Sequence, residues 1–131
     1  MRIQFASLIV RNQNEALEFY TNRIGFRLKH DIPMGEFRWL TLTSPEGAIG
    51  VELVLEPNAF GPAATYQKAL YDAGIPATAF ITQDIFSEFK RLKDCGVTFR
   101  GEPQRMGPIT GVLFEDTCGN LIHLVQPEVA E

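Results

Sequence analysis

The feature that most constrains the fold of this chain is an internal duplication. The first half, Ile3 to Pro57, reads as an apolar strand, a capped helix ending at Gly25 and three further strand-like runs. The second half, Ala77 to Pro127, has the same start, a helix ending at Gly96, two clear strands and room for a third. The two glycines lie 71 positions apart. The pattern predicts an α+β fold of paired βαβββ modules.

Capping and hydrophobic periodicity predict the elements of the first half. Asn12 and Glu15 match a capping box, and apolar residues at helical spacing follow to the left-handed stop at Gly25. We therefore expect a helix over 13–23. Residues 26–32 alternate in polarity, which predicts a half-buried strand. The strands are expected at 3–10, 26–32, 37–43 and 49–55.

The second half follows the same reasoning with shorter signals. Asp84 is the expected cap of a helix that ends at Gly96. Strands are expected at 77–81, 97–100, 109–115 and 121–126, with a loop over 101–108. We predict one domain over 1–131, made of a module at 1–57, a connector at 58–76 and a module at 77–127, with a short helix near 63–73 and a frayed tail at 129–131.

Composition narrows the classes of function. The chain has 131 residues, 45% of them hydrophobic, and a net charge of -4, which argues against a nucleic-acid partner. No apolar run approaches the ~18 residues of a membrane span, and the first residues lack the pattern of a signal peptide. The expected location is the cytoplasm. Cys95 and Cys118 stand in no metal-binding or redox spacing, and we expect free thiols.

Two ionisable residues occupy equivalent points of the duplication. Glu52 and His123 lie 71 positions apart, each in the last strand of its half. Glu52 faces either solvent or a polar cavity, because carboxylates are rarely buried without a partner. His123 is either a hydrogen-bonded wall residue or a cavity-facing group. If the two are within hydrogen-bonding reach, they form an acid–base pair.

Three segments resemble motifs of the vicinal oxygen chelate superfamily. NEALEFYTNRIGF resembles its first helix motif "ALxFYxxxLGF", FKRLKDCGVTF resembles its second helix, and FEDTCGNLIHLVQP resembles its closing hairpin "DPDGNxxxLxQP". The superfamily includes glyoxalase I, bleomycin-resistance proteins, extradiol dioxygenases and fosfomycin-resistance enzymes. The resemblance covers essentially the whole chain and implies cupped mixed sheets. It specifies the fold more than the reaction.

The resemblance also implies four metal-ligand positions, and this chain departs from them. Carried over by position, they fall on Phe5, Glu52, Thr78 and His123. Phe5 cannot bind a metal and Thr78 is a poor ligand, so Glu52 and His123 form an incomplete set for a divalent metal. Alternation along the strand predicts that Gln4 lies on the face opposite Phe5.

Other residues are candidates for contact with a ligand. Phe5, Phe37 and Trp39 are either core residues or residues that stack on a ligand, and Phe5 suggests an apolar cavity floor. Arg38 is either exposed or directed at an anionic substrate, and Tyr66 in the connector is a further candidate. His30 is either a surface residue or an additional donor from the second strand.

Three functions remain open from the sequence. The first is a bleomycin-resistance-like protein that binds a small molecule in a cupped cleft, without the full superfamily metal site. The alternative is a metal-dependent lyase, isomerase or dioxygenase acting on vicinal oxygens, with Glu52 and His123 as acid–base pair or partial metal site. The third is an assembly module. The resemblance implies a homodimer, and it leaves open whether one chain or two build the site.

Overall fold

The computed structural model describes residues 1–128, within which each half of the duplication builds its own four-stranded mixed sheet. Two units divide the chain, one covering Met1–Gln67 and the other beginning at Lys68. The predicted α+β fold with two βαβββ modules is therefore confirmed. The single domain stays a prediction, and the expected fraying at 129–131 lies outside the described residues.

The first unit is organised by the strand order β1-β4-β3-β2. β1 runs parallel to β4, and β3 is antiparallel to both β4 and β2. The strands are β1 (Phe5–Val10), β2 (Arg27–Met34), β3 (Phe37–Thr43) and β4 (Glu52–Pro57).

The helix of the first unit begins and ends as its sequence predicts. The Asn12 side chain accepts a hydrogen bond from the Glu15 N–H at 3.0 Å. Helix α1 (Gln13–Glu18) continues into a π-helical segment (Phe19–Ile24), and Gly25 ends it with φ 96°. This helix packs against β3 and β4. The core of the unit includes Leu8, Val10, Ala16, Phe19, Tyr20, Leu40, Leu42 and Leu55.

The second unit repeats this arrangement with the order β5-β8-β7-β6. α2 (Gly61–Asp72) spans the division between the units, and α3 (Ile85–Asp94), capped by Asp84, packs against β8. The strands are β5 (Thr78–Ile81), β6 (Gln104–Met106), β7 (Ile109–Glu115) and β8 (Leu121–Pro127). Its core includes Ile85, Leu92, Val112, Phe114, Ile122 and Leu124.

Three predictions about the strands were wrong in detail. Residues 97–100 form no strand; Phe99 makes one isolated bridge to Phe114, and the third strand of the module is the polar β6, inside the expected loop. β4 begins at residue 52, because Gly50 with φ 86° ends a turn just before it. β2 is mostly exposed, because it lies at one edge of the sheet while α1 packs on β3 and β4. No helix within residues 1–128 is long and apolar enough to cross a membrane.

Candidate functional site

Glu52 is the first residue of β4, and its side chain is only 2% exposed. The Thr41 hydroxyl donates a hydrogen bond to Oε1 at 2.8 Å, and the Gln4 amide donates to Oε2 at 3.2 Å. His30 lies on the open side, with its Nε2 3.8 Å from Oε1. The alternative in which Glu52 faces solvent is therefore wrong, and the carboxylate is held by polar partners.

These partners decide the charge of Glu52. The hydrogen bond from Thr41 is the largest influence and lowers the pKa of Glu52, whereas burial raises it. The hydrogen bond from Gln4 and the charges of Lys29 and His30 lower this pKa further. The net pKa lies below its ordinary value. Glu52 is consequently a carboxylate at neutral pH.

The position of Gln4 corrects the prediction that it lies on the opposite face. Its side chain reaches Glu52 and contributes to the polar cluster. Alternation failed here because Gln4 precedes β1, which begins at Phe5. Only residues within a paired strand are bound to alternate between the two faces.

The strand register defines the sheet surface on which Glu52 lies. Paired residues share a face. The pairs Phe5–Glu52, Thr41–Val54 and His30–Thr41 connect all four strands, because Val54 lies two residues after Glu52 in β4, and Ile32–Trp39 extends the same face. Phe37 lies two residues before Trp39 and has the same orientation. We call this surface the Glu52 face; it consists of Phe5, His30, Ile32, Phe37, Trp39, Thr41 and Glu52.

Aromatic residues on the Glu52 face are partly open. The Phe5 ring meets the Trp39 ring edge to face, with centroids 5.4 Å apart and planes at 87°. Phe5 is 48% exposed, and Phe37 and Ile32 are exposed as well. Apolar side chains therefore share one side of the first unit's sheet with a buried carboxylate and a half-exposed imidazole.

Arg38 does not belong to the Glu52 face. It alternates with Trp39 along β3 and therefore points to the side of the sheet that packs on α1. Its Nε lies 2.9 Å from Asp31 Oδ1, although the N–H is not aligned for a hydrogen bond, and its Nη1 contacts Asn14. These contacts occupy the guanidinium, which argues against the predicted contact with an anionic substrate.

His123 lies in the middle of β8, in the second unit. It pairs with Ala79 of β5 and with Leu113 of β7. A pocket of about 340 Å³ opens beside it, lined also by Arg100, Gln104 and Met106. Thr78 pairs with Ile122 instead, so the position carried over from the superfamily was wrong by one residue, and Ala79 shares the face of His123.

Gly111 makes room for the imidazole of His123. A methyl group built on Gly111 would lie 2.4 Å from Nε2 of His123, far inside van der Waals contact. The ring therefore rests against the backbone of β7. Sequence reasoning missed Gly111 and also Thr41, although a glycine inside a strand often indicates such a close approach.

The structure gives less support to the remaining predictions about site residues. Tyr66 is exposed on α2, and its contact with a ligand stays a prediction. Glu52 belongs to the first unit and His123 to the second, and their pairing also stays a prediction. Within residues 1–128 neither cysteine forms a disulfide; Cys95 is exposed and Cys118 is buried.

The donor set does not fit the complete metal site of the superfamily. The strand neighbour of Glu52 is Phe5, and that of His123 is Ala79; neither side chain binds metals. Within residues 1–128 no group of three or more His, Cys, Asp or Glu side chains is arranged to hold a metal ion. The chemistry that these residues themselves offer is hydrogen bonding, charge and apolar contact.

Comparison with known proteins identifies the family of the chain. The sequence model of the Glyoxalase/Bleomycin resistance protein/Dioxygenase superfamily matches residues 2–124. The chain belongs to this superfamily. The predicted resemblance to the vicinal oxygen chelate proteins is thereby confirmed.

Relatives of this superfamily member match it from end to end. It is 52% identical to "Uncharacterized protein YurT" of Bacillus subtilis (strain 168), over 96% of this chain and 99% of that one. The solved structure of UcmS2 superposes with a TM-score of 0.80 at 28% identity, covering 95% and 97% of the two chains. TnmS3, described as an antibiotic binding protein from Streptomyces sp. CB03234, superposes with a TM-score of 0.76 at 30% identity, covering 97% and 96%.

Proposed function

We propose that this superfamily member binds a small organic molecule on the Glu52 face, without the full metal site. The observation that carries the proposal is a buried, charged carboxylate on the same sheet surface as the exposed rings of Phe5 and Phe37. Small-molecule sites typically combine an apolar lining with a few fixed polar groups. The similarity to TnmS3, an antibiotic binding protein, supports the same class of function.

The energetics favour an apolar or aromatic ligand body. Phe5 and Phe37 are partly exposed, so a ligand that covers one of these rings gains on the order of 1 kcal/mol from the apolar area removed from water. Stacking on Trp39 adds a comparable contribution. Glu52 and His30 give such a ligand an orientation, because they are the polar groups of this surface that carry or can gain a charge.

The pocket beside His123 is the second binding surface that we propose. Its volume of about 340 Å³ lies within the range of small-molecule pockets, roughly 300–1,000 Å³. Its lining mixes the apolar Met106 and Leu113 with the polar Gln104 and His123.

We also expect the protein to form a homodimer in the cytoplasm. Sedimentation velocity of the purified protein will test the dimer, and cell fractionation will test the location.

A neutral fluorescent probe tests the binding of small molecules. Trp39 is the sole tryptophan of the chain, so its fluorescence reports directly on the Glu52 face. We expect N-phenyl-1-naphthylamine to quench Trp39, and Phe5→Ala to weaken this binding about fivefold, since 1 kcal/mol corresponds to about a factor of five. The exposed Phe60 lies outside the Glu52 face, and Phe60→Ala is the matched control. Equal affinity in both variants would contradict the proposal.

Metal analysis separates this proposal from the metal-dependent alternative. The protein is purified without a chelating tag and its metal content is measured for wild type, Glu52→Ala and His123→Ala. We expect no stoichiometric metal in any of them. A stoichiometric ion that both substitutions remove would refute the metal-free assignment.

A further inference from the structure

We propose that the ligand of the Glu52 face carries a positively charged nitrogen, and that the charge of Glu52 selects it. This inference rests on the proposed function, because it names the chemical class of the ligand for the same surface. Three independent features of the surface lead to it: a buried carboxylate whose hydrogen-bond donors are neutral, aromatic rings on the same sheet surface and a half-exposed imidazole beside the carboxylate.

The first feature is the charge of Glu52. Its hydrogen-bond donors, Thr41 and Gln4, are neutral. Among residues 1–128, the ion-pair partner within 4.0 Å of its carboxylate is His30, which is charged only when protonated. Burying a carboxylate is costly unless an opposite charge accompanies it. Lys29 acts on Glu52 from beyond ion-pair distance, and Arg2 contacts Gln4, so a cationic ligand would add a charge at the carboxylate itself.

The second feature is the aromatic surround. The faces of aromatic rings attract cations within about 6 Å, and quaternary ammonium groups are commonly bound in this way. Phe5, Phe37 and Trp39 lie on the same sheet surface as Glu52, and the edge-to-face contact between Phe5 and Trp39 sets their rings at right angles. The net charge of the chain, -4, favours a cation over an anion as well.

The third feature is the position of His30. Its Nε2 lies 3.8 Å from Oε1 of Glu52, and its imidazole is 44% exposed, so the surroundings of Glu52 reach solvent on this side. Two further cations act on the cluster: the charge of Lys29 lowers the pKa of Glu52, and Arg2 donates a hydrogen bond to Gln4. Asp31 and Arg38 form their ion pair on the opposite face of the sheet.

Three probes of matched shape test the selection. Benzyltrimethylammonium is the cation, neopentylbenzene is its neutral carbon analogue, and phenylmethanesulfonate is the anion; binding is read from Trp39 fluorescence. We expect the cation to bind at least tenfold more tightly than the neutral analogue, and the anion more weakly than both. In Glu52→Gln this preference should fall below threefold. Glu46→Gln, which removes the same charge from an exposed turn, should retain it.

Each outcome separates this inference from the proposed function. Charge selection is refuted if the neutral analogue binds as tightly as the cation. It is also refuted if N-phenyl-1-naphthylamine binds and benzyltrimethylammonium does not. In both cases the proposed function stands. If no probe affects Trp39, both fail. The comparison in wild type needs no substitution, so it remains decisive if Glu52→Gln does not fold, which circular dichroism checks.

Discussion

Replacing Gly111 by alanine should displace the imidazole of His123. Gly111 lies in β7 with no left-handed backbone conformation, so alanine is compatible with its main chain. The added methyl group would lie 2.4 Å from Nε2 of His123 and 3.2 Å and 3.3 Å from Cδ2 and Cε1. The substitution therefore acts on one side chain, through a contact whose geometry is known.

The expected loss of stability in Gly111→Ala can be worked out from that contact. Non-bonded heavy atoms are most stable about 3.5–4.0 Å apart, so the ring must move by roughly 1 Å. Overpacking costs typically about 1–3 kcal/mol, and a glycine-to-alanine change returns about 0.4–1 kcal/mol through the unfolded chain. Because His123 is only half-buried beside an open pocket, its ring can yield, and we expect a net loss near 1 kcal/mol.

Urea unfolding and imidazole NMR measure the two consequences. The chain has two histidines, so a His30→Asn variant assigns the signals of His123. Gly61→Ala is the matched control, since a methyl group there meets nothing within 4 Å and Gly61 also lacks a left-handed conformation. We expect shifted His123 signals and a lowered unfolding midpoint in Gly111→Ala alone. Unchanged His123 signals, with a stability like that of Gly61→Ala, would refute the steric reasoning.

Three further predictions concern polar contacts. Thr41→Val should raise the pKa of Glu52. Because this pKa is lowered in the native protein, the ionised Glu52 stabilises the fold at neutral pH, and this stabilisation is lost as pH falls. Acid unfolding of the variant, followed by circular dichroism, should therefore begin at a higher pH than that of the wild type. Asn12→Ala should cost about 1 kcal/mol in urea unfolding, and an unchanged midpoint would contradict the capping role. Asp116→Ala should cost about 3 kcal/mol, because the buried carboxylate accepts three hydrogen bonds from Cys118 and Asn120; a loss below about 1 kcal/mol would contradict this.

Local signals predicted the helices because their causes are local. Asn12 and Asp84 cap α1 and α3 through their own first-turn amides, and Gly25 and Gly96 adopt the left-handed conformation expected of helix stops. The strand β6 was missed for the opposite reason. Its three residues are polar and exposed, and they become a strand by pairing with β7, which no short window of sequence encodes.

The sequence pointed to some residues of the candidate site and missed others, and the strand register explains which were missed. The resemblance placed Phe5 and Glu52 on the first and last strands of the first half, and these strands pair the two residues directly. In β5 the resemblance pointed to Thr78, whereas the residue that pairs with His123 is Ala79. A shift of one residue along a strand places the side chain on the other face of the sheet. The partners Thr41 and Gly111 come from the third and seventh strands, whose registers depend on tertiary pairing.

The two halves of the duplication keep the positions of Glu52 and His123 but support them by different means. Glu52 is held by side chains: Thr41 and Gln4 donate to it, and the result is a fixed, charged carboxylate. His123 is positioned by the absence of a side chain, because its ring lies against Gly111 and borders an open pocket. A fixed charge suits recognition of an opposite charge, whereas a ring with free space beside it can adapt to ligands of different shape. Substitutions around Glu52 should therefore change the preference between charged and neutral ligands, and substitutions around Gly111 should change the size of ligand that is accepted.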